Sequence, residues 1–391
     1  MVMKKRTGEV TMEMSRNALI SLAIGLSLAA PAAAQEIKIG LSGTFTGPNA
    51  TNGIPYRNAA EIYPKTLGGV PVKWILLDDA TDPTTAVKNA RKFVDEDKVD
   101  VILGSTSTVT ATAMSDVAVE SKTPQIGLSP MQIPEAKLPW VFNLPQPVPI
   151  MVSAIIEDMK KSGMKTVAFI GYADGWGDLN WNALNQVAKK EGINVLTGER
   201  YNRTDTSVTA QALKILATAP DAVFIGASGT AAALPHVTLK DQGYNGRIYH
   251  THGTVAKAFI DAGGKAVEDA RMPTGPVVAA ADLSDDNPVK KVSLDFIQKY
   301  EGRWGKGSAN PIAGYAWDAM LLLDAAATDA LKKAKPGTPE FRVAMRDALQ
   351  SGKDVAGTNA VYRYTPTDHY GVDERARVMV VIKDGAFRLA K

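Results

Sequence analysis

Short apolar runs alternate with amphipathic stretches along most of the chain after residue 36. Residues 37–41, 72–77, 100–103, 125–128, 167–170, 194–196, 222–225 and 247–249 read as strands. Most are too continuously apolar to have a wet face, the pattern of parallel strands buried on both sides. Between them, helical spacing predicts helices over 50–66, 84–98, 110–122, 148–161, 179–191, 207–218, 230–242 and 255–262. In the second of these, Ala86, Val87, Ala90, Phe93 and Val94 recur at the three-and-four spacing of a helix resting on a sheet. Strand–helix repetition of this regularity specifies an α/β fold with parallel sheets and right-handed crossovers.

The repetition divides in two. Residues 36–145 hold one run of β/α units and 165–262 another, with a proline-punctuated strand at 141–147 able to carry the chain across. After Pro273 and Pro276 the pattern changes to long helices over 287–304, 311–331 and 338–350. A short strand at 360–364 follows, and Lys383-Asp384-Gly385 marks a hairpin turn within 377–389. The expected division is a first lobe of 35–145 and 277–360 and a second of 146–276 and 361–391. Two α/β lobes sharing a hinge place their strand ends and helix N-termini around a central cleft.

The N-terminus follows a different rule. Residues 18–30 are uncharged and apolar, preceded by Arg16, Lys4, Lys5 and Arg6 and followed by Pro31 and Ala32-Ala33-Ala34. This predicts a signal peptide over 1–34 cleaved after Ala34, the run being shorter than the roughly 20 residues that span a bilayer. The long, partly acidic stretch before Met14 offers Met14 as an alternative start. Of 44 basic and 41 acidic residues, cleavage leaves 40 and 39. Such near-neutrality gives no electrostatic footprint for nucleic acid or an anionic membrane. The chain has no cysteine, which excludes disulfides, thiolate catalysis and Cys-based metal sites. An exported protein also lacks ready access to ATP or reduced nicotinamide, so no cofactor is expected.

Motifs for cofactor or covalent chemistry are missing. Neither a dinucleotide fingerprint nor a phosphate loop occurs, and the glycine-rich segment at 171–177 has the wrong spacing. Gly226-Ala227-Ser228-Gly229-Thr230 fails as a nucleophile elbow at its last position. His250 and His252 are expected on one face of a strand with no carboxylate nearby in sequence, so metal binding is not expected. Asp78 and Asp79 read as hydrogen-bonding groups of a strand–helix turn rather than a catalytic pair. What remains are turns rich in small polar residues at 42–53, 104–110 and 128–132. Every residue from Ser105 to Thr110 except Val109 carries a hydroxyl, more than one helix cap requires. Free N–H groups at a helix N-terminus favour an anion such as a carboxylate.

Several segments taken together resemble the periplasmic solute-binding proteins of ATP-binding-cassette importers, of the branched-chain amino-acid type. They are IKIGLSGTFTGP at 37–48, LLDDATDPTTAVKNARKFV at 76–94, VILGSTSTVTATAMSDVAVESKTPQIGLSP at 101–130, GYADGWG at 171–177 and VYRYTPTDHYG at 361–371. The resemblance implies a type I periplasmic binding fold, two Rossmann-like lobes joined by three crossings that close on a ligand. It implies membrane permease subunits as partners and a monomeric protein. By position, Ser107, Thr108 and the turn Met131-Gln132 would hold a ligand carboxylate from the first lobe. Asn52 lies in the first loop, Trp176 would cover the ligand from the second lobe, and Ser228 and His252 occupy two further turns.

One departure alters the expected ligand. Amino-acid binders of this family place an acidic residue where this chain has Thr251-His252-Gly253. An imidazole is no substitute for the carboxylate that a buried ammonium needs, although it can donate to an oxygen. Asp174 is the nearest replacement from a neighbouring turn. The expected ligand is therefore a small carboxylate without an α-amino group, aromatic or hydrophobic, stacked on Trp176. Alternatives are a hydrophobic amino acid held in the same way, a soluble sensor serving a chemoreceptor, or a periplasmic hydrolase using His252 against Ser228.

Overall fold

The computed structural model describes residues 1–3 and 35–390, so the expected leader and its cleavage site lie outside the described residues. The first sheet contains β1 (Ile37–Gly43), β2 (Thr66–Leu67), β3 (Val70–Asp78), β4 (Val101–Leu103), β5 (Gln125–Gly127) and β6 (Val141–Asn143). Their order is β2-β3-β1-β4-β5-β6, parallel throughout except for the β2–β3 pair. The crossovers carry α1 (Ala50–Ala60), α2 (Pro83–Lys92) and α3 (Thr108–Ser121). Asp82 accepts from the Thr85 N–H and Pro83 takes the first turn, so α2 starts where its buried Ala86 and Ala90 need it to. The ring of Phe93 lies 2.5 Å from where a side chain on Gly40 would begin, which is why the middle of β1 carries none.

The chain then enters the second lobe. It forms α4 (Val148–Lys161), β7 (Thr166–Tyr172), α5 (Gly175–Glu191), β8 (Asn194–Tyr201), α6 (Thr209–Ala217) and β9 (Ala222–Gly226). α7 (Ala233–Asp241), β10 (Arg247–His250), α8 (Lys257–Gly263) and β11 (Arg271–Thr274) complete this run. The remainder contributes α9 (Pro288–Trp304), α10 (Pro311–Ala330), α11 (Pro339–Leu349), β12 (Val355–Ala356), β13 (Val361–Tyr362), β14 (Val378–Lys383) and β15 (Ala386–Leu389). The second sheet runs β15-β14-β11-β10-β9-β7-β8, its last five members parallel and the β14–β15 hairpin antiparallel at one edge. The hairpin turn falls at Asp384-Gly385, as its sequence predicts.

β11 is a strand that the apolar pattern did not announce, because Pro273 interrupts it. β10 pairs only with Arg271, so Pro273 lies beyond the end of that ladder and its missing N–H removes no bond there. α1 is also shorter than the periodicity suggests, ending ahead of Pro64.

Each lobe has its own core. In the first, Ile39, Leu41, Leu103 and Phe142 pack with Phe296, Tyr315, Leu323, Tyr362 and Tyr364. In the second, Phe169, Ile170, Phe224 and Ile225 pack with Met272, Val380 and Ile382. The chain passes between the cores after Leu144, after Thr274 and after Ala376. The last passage comes later than the expected break at 361. Tyr364 donates to the Asn143 carbonyl at 3.0 Å, and His369 stacks on Phe142 at 4.0 Å, which holds this stretch on the first lobe.

Within α10, Asp318 is fully buried and accepts from the N–H groups of Thr358 (2.5 Å) and Asn359 (3.0 Å) and from the Tyr362 hydroxyl (2.9 Å). Burial pushes its carboxyl up to about 6, so it is ionised at neutral pH and ties the 357–362 segment to the helix. Asp318→Ala strands these donors in a dry interior. Urea unfolding at pH 7 should show a loss of roughly 3 kcal/mol or more.

Candidate ligand-binding site

The carboxyl ends of strands from both sheets open onto one cavity. The first lobe supplies Asn49 and Asn52 after β1, Thr106 to Thr108 after β4, and Leu128 to Pro130 after β5. The second supplies Trp176 after β7, Arg203 after β8, Ser228 after β9 and His252 after β10. Ile312 and Tyr315 of α10 complete the wall. The empty space between these residues is about 460 Å³, a figure that includes its open mouth.

In each lobe a glycine brings the helix after the first strand of the sheet close to that strand's end. A side chain on Gly53 would lie 2.0 Å from the Thr44 carbonyl oxygen, and one on Gly177 would lie 1.9 Å from that of Tyr172. Both helices therefore seat directly on the turn before them, and their neighbours Asn52 and Trp176 reach the cavity wall.

On the first lobe most hydroxyls are engaged by the protein. Ser105 donates to Asp79 at 2.5 Å, Thr106 pairs with Thr44 at 2.8 Å, Thr108 donates to the Pro130 carbonyl at 2.8 Å, and Thr110 donates to that of Ser107 at 3.0 Å. Ser107 stands at the start of α3, yet its hydroxyl is buried without a partner and no side chain caps the helix. The positive end of α3 therefore faces the cavity.

The second lobe is organised by an ion pair. Asp174 accepts from the Trp176 and Gly177 N–H groups at the start of α5, and from Arg203 Nε at 2.7 Å. The guanidinium lies 4.0 Å above the Tyr172 ring. Its Nη1 donates to Ser228 Oγ at 3.3 Å and, across the cleft, to Asn49 Oδ1 at 3.4 Å. Arg203 is thus the charged residue of the lining. Trp176 meets His252 edge-on at 5.5 Å. Burial pushes the His252 imidazole down to about 4, so the ring is neutral at physiological pH. Asn52 Oδ1, Ser107 Oγ, Trp176 Nε1 and His252 Nε2 are all buried without a hydrogen-bond partner. Four such atoms around one small cavity are polar groups that the protein itself leaves unpaired.

Residues 36–386 match the family described as Periplasmic binding protein. The chain belongs to that family. An extracellular ligand-binding receptor from Rhodopseudomonas palustris HaA2 is 45% identical, with a TM-score of 0.90 over 91% of this chain and 100% of that one. Among curated proteins, an amino acid binding protein of Pseudomonas aeruginosa is 27% identical over 63% of this chain and 67% of its own length. Leu/Ile/Val-binding protein homolog 7 of Brucella melitensis is 24% identical over 92% of both chains. The two lobes with parallel central sheets are those of the type I periplasmic binding fold.

The cavity of this binding protein gathers Asn52, Ser107, Thr108, Trp176, Ser228 and His252 of the residues expected from sequence. Met131 and Gln132 lie elsewhere. Pro130 turns the chain away, so Met131 is buried against Ala111 and Val141, while Gln132 lines a separate surface pocket with Tyr370. The carboxyl end of β5 meets the cavity through Ser129 and Pro130 instead. His250 and His252 do not share a face. β10 ends at His250, whose Nε2 lies 2.8 Å from His236 Nδ1, and Thr251 caps the short turn His252–Thr254 that directs His252 to the cavity. Asp174 is committed to Arg203 and to α5, so it does not supply the missing acceptor. Asp78 and Asp79 hold the turns after β1 and β4, accepting from Phe45 N, Thr46, Ser42 and Ser105.

Sequence reasoning passed over Asn49, Tyr56, Arg203 and Tyr315. Asn49 and Tyr56 sit three before and four after Asn52, a helical spacing that could have found them. Arg203 follows a strand like the other turns, but an arginine in a polar turn ordinarily reads as solvated.

The neutral His252 has a stability consequence. Its folded value near 4 lies below the ordinary 6.5, so the unfolded chain binds the extra proton between those values. The contribution is present above pH 6.5 and falls away as the pH drops towards 4, by roughly 3 kcal/mol. Urea unfolding at pH 7 and pH 4.5 should show a smaller acid-induced loss in His252→Gln than in the parent.

Proposed function

We propose that this periplasmic binding protein traps a small carboxylate without an α-amino group and delivers it to the permease of an ATP-binding-cassette importer. One observation carries the reading: among the described residues the cavity is lined by one cation and no carboxylate. A ligand ammonium would face the Arg203 guanidinium with no acidic partner, at a cost of several kcal/mol. A carboxylate would find the unpaired Ser107 hydroxyl, the open start of α3 and the guanidinium. Tyr56, Leu128, Trp176, Ile312 and Tyr315 offer an apolar, largely aromatic wall to the rest of the molecule.

The reading also places the mature protein in the periplasm, released by cleavage after Ala34, working as a monomer and without catalysis. Ser228 accepts its hydrogen bond from Arg203, and His252 Nε2 has no partner, so the two do not form a nucleophile–base pair. The names of the curated relatives, an amino acid binding protein and a Leu/Ile/Val-binding protein homolog, support a second reading in which the ligand is a hydrophobic amino acid.

Calorimetry separates the two. Benzoate-type and aliphatic acids should give binding heat, and leucine and valine none; tight leucine binding would sink the proposal. Arg203→Met should weaken binding of the acid by about tenfold or more, since a charge-assisted bond is lost. Indole fluorescence should change on ligand addition, and Trp176→Ala should abolish that response. An unchanged affinity in Trp176→Ala would remove it from the site.

A further inference from the structure

Two of the four unpartnered cavity atoms have a fixed polarity. Ser107 Oγ donates or accepts, and His252 Nε2 does either according to tautomer. Trp176 Nε1 carries a hydrogen and only donates. Asn52 Oδ1 only accepts, and neighbouring bonds settle which amide atom it is. Asn49 Nδ2 donates to the Thr106 carbonyl at 3.0 Å, which leaves Asn49 Oδ1 to receive Asn52 Nδ2 at 3.2 Å and Arg203 Nη1 at 3.4 Å. Turning the Asn49 amide over would set its oxygen against the Thr106 carbonyl. Asn52 Oδ1 is therefore the free atom, in a residue only 9% exposed.

That carbonyl requires a donor, in a cavity whose other fixed groups are donors. A carboxylate at this corner accepts and does not donate. An ammonium donates but faces the guanidinium, which Asn49 holds beside Asn52. A hydroxyl does both, giving its hydrogen to Asn52 Oδ1 and accepting from Arg203 or Trp176. We infer that the cavity is built for a hydroxy acid, its carboxylate at the start of α3 and its hydroxyl bound between Asn52 of the first lobe and Arg203 of the second. This rests on the carboxylate reading and adds a second polar group to the ligand. It also gives Asn52 the role of a specificity residue, reporting the hydroxyl to both lobes through Asn49.

Matched pairs of acids test it. Benzoate, phenylacetate and 3-phenylpropanoate are compared by calorimetry with their 4-hydroxy and 4-methoxy counterparts on the intact mature protein. In at least one series the hydroxy acid should bind about tenfold or more tightly than the unsubstituted acid, and the methoxy acid, which accepts but does not donate, should lose that advantage. Asn52→Leu, close in size, should bring the hydroxy-to-unsubstituted ratio within about twofold of one. Equal binding of hydroxy and unsubstituted acids, or of hydroxy and methoxy acids, overturns the inference and leaves the carboxylate reading standing. A preference that survives Asn52→Leu overturns the role of Asn52. Leucine binding with no response to any acid overturns the carboxylate reading itself. The methoxy comparison needs no variant, so it decides the matter even where Asn52→Leu does not fold.

Discussion

A parallel strand cannot reach its parallel neighbour by a tight turn; the chain must climb back over a face of the sheet. In this protein that constraint operates twice, once in each lobe. It sends each crossover helix out from the carboxyl end of a strand, so the polar turns collect along one edge of each sheet. The apolar strands have no choice in the matter, because both faces are covered by helices. Three passages of chain join the lobes, and the two polar edges share one cavity. Everything chemical about the molecule follows from that convergence.

The cavity is polar in an uneven way. Protein groups satisfy most hydroxyls on the first lobe, and Asp174, Ser228 and Asn49 accept from Nε and Nη1 of the Arg203 guanidinium. What is left over has a net preference for an acceptor: the uncapped start of α3, the remaining guanidinium N–H groups and an indole N–H. The imidazole of His252 adds no charge, because a buried ring with no carboxylate beside it sheds its proton. A ligand acceptor would therefore meet several donors at once. An extra positive charge has no partner there.

Contact between the lobes and the lining of the cavity use the same atoms. Arg203 belongs to the second lobe, yet it reaches Asn49 of the first, and Asn49 orients Asn52 beside the ligand space. Gly229 of the second lobe comes so near Thr51 that a side chain on it would lie 2.5 Å from the threonine hydroxyl oxygen. Groups that line the cavity also set how closely the lobes approach, so a molecule held there would bear on both lobes at once.

The order of strands and helices was legible because hydrophobic period is a local property, read within about ten residues. Glycine after β1 and β7, the polar turns after β4 and β9, and the absence of an acidic residue beside His252 were equally local. Pairing was not. Whether a hydroxyl is engaged or free depends on a residue 22 or 62 positions away, as Thr108 on Pro130 and Thr106 on Thr44 show. The same holds for Met131, which reads as a ligand contact within its own turn and packs instead against Ala111 and Val141. Arg203 was invisible for the opposite reason, since only Asp174 and Tyr172 make a cavity a tolerable place for a guanidinium. Sequence by itself determined that two α/β lobes would present polar turns to a cleft. Tertiary structure alone decided which of those polar atoms remain unpaired, because a hydrogen bond is fixed by the partner that folding brings, not by the residue that carries the donor.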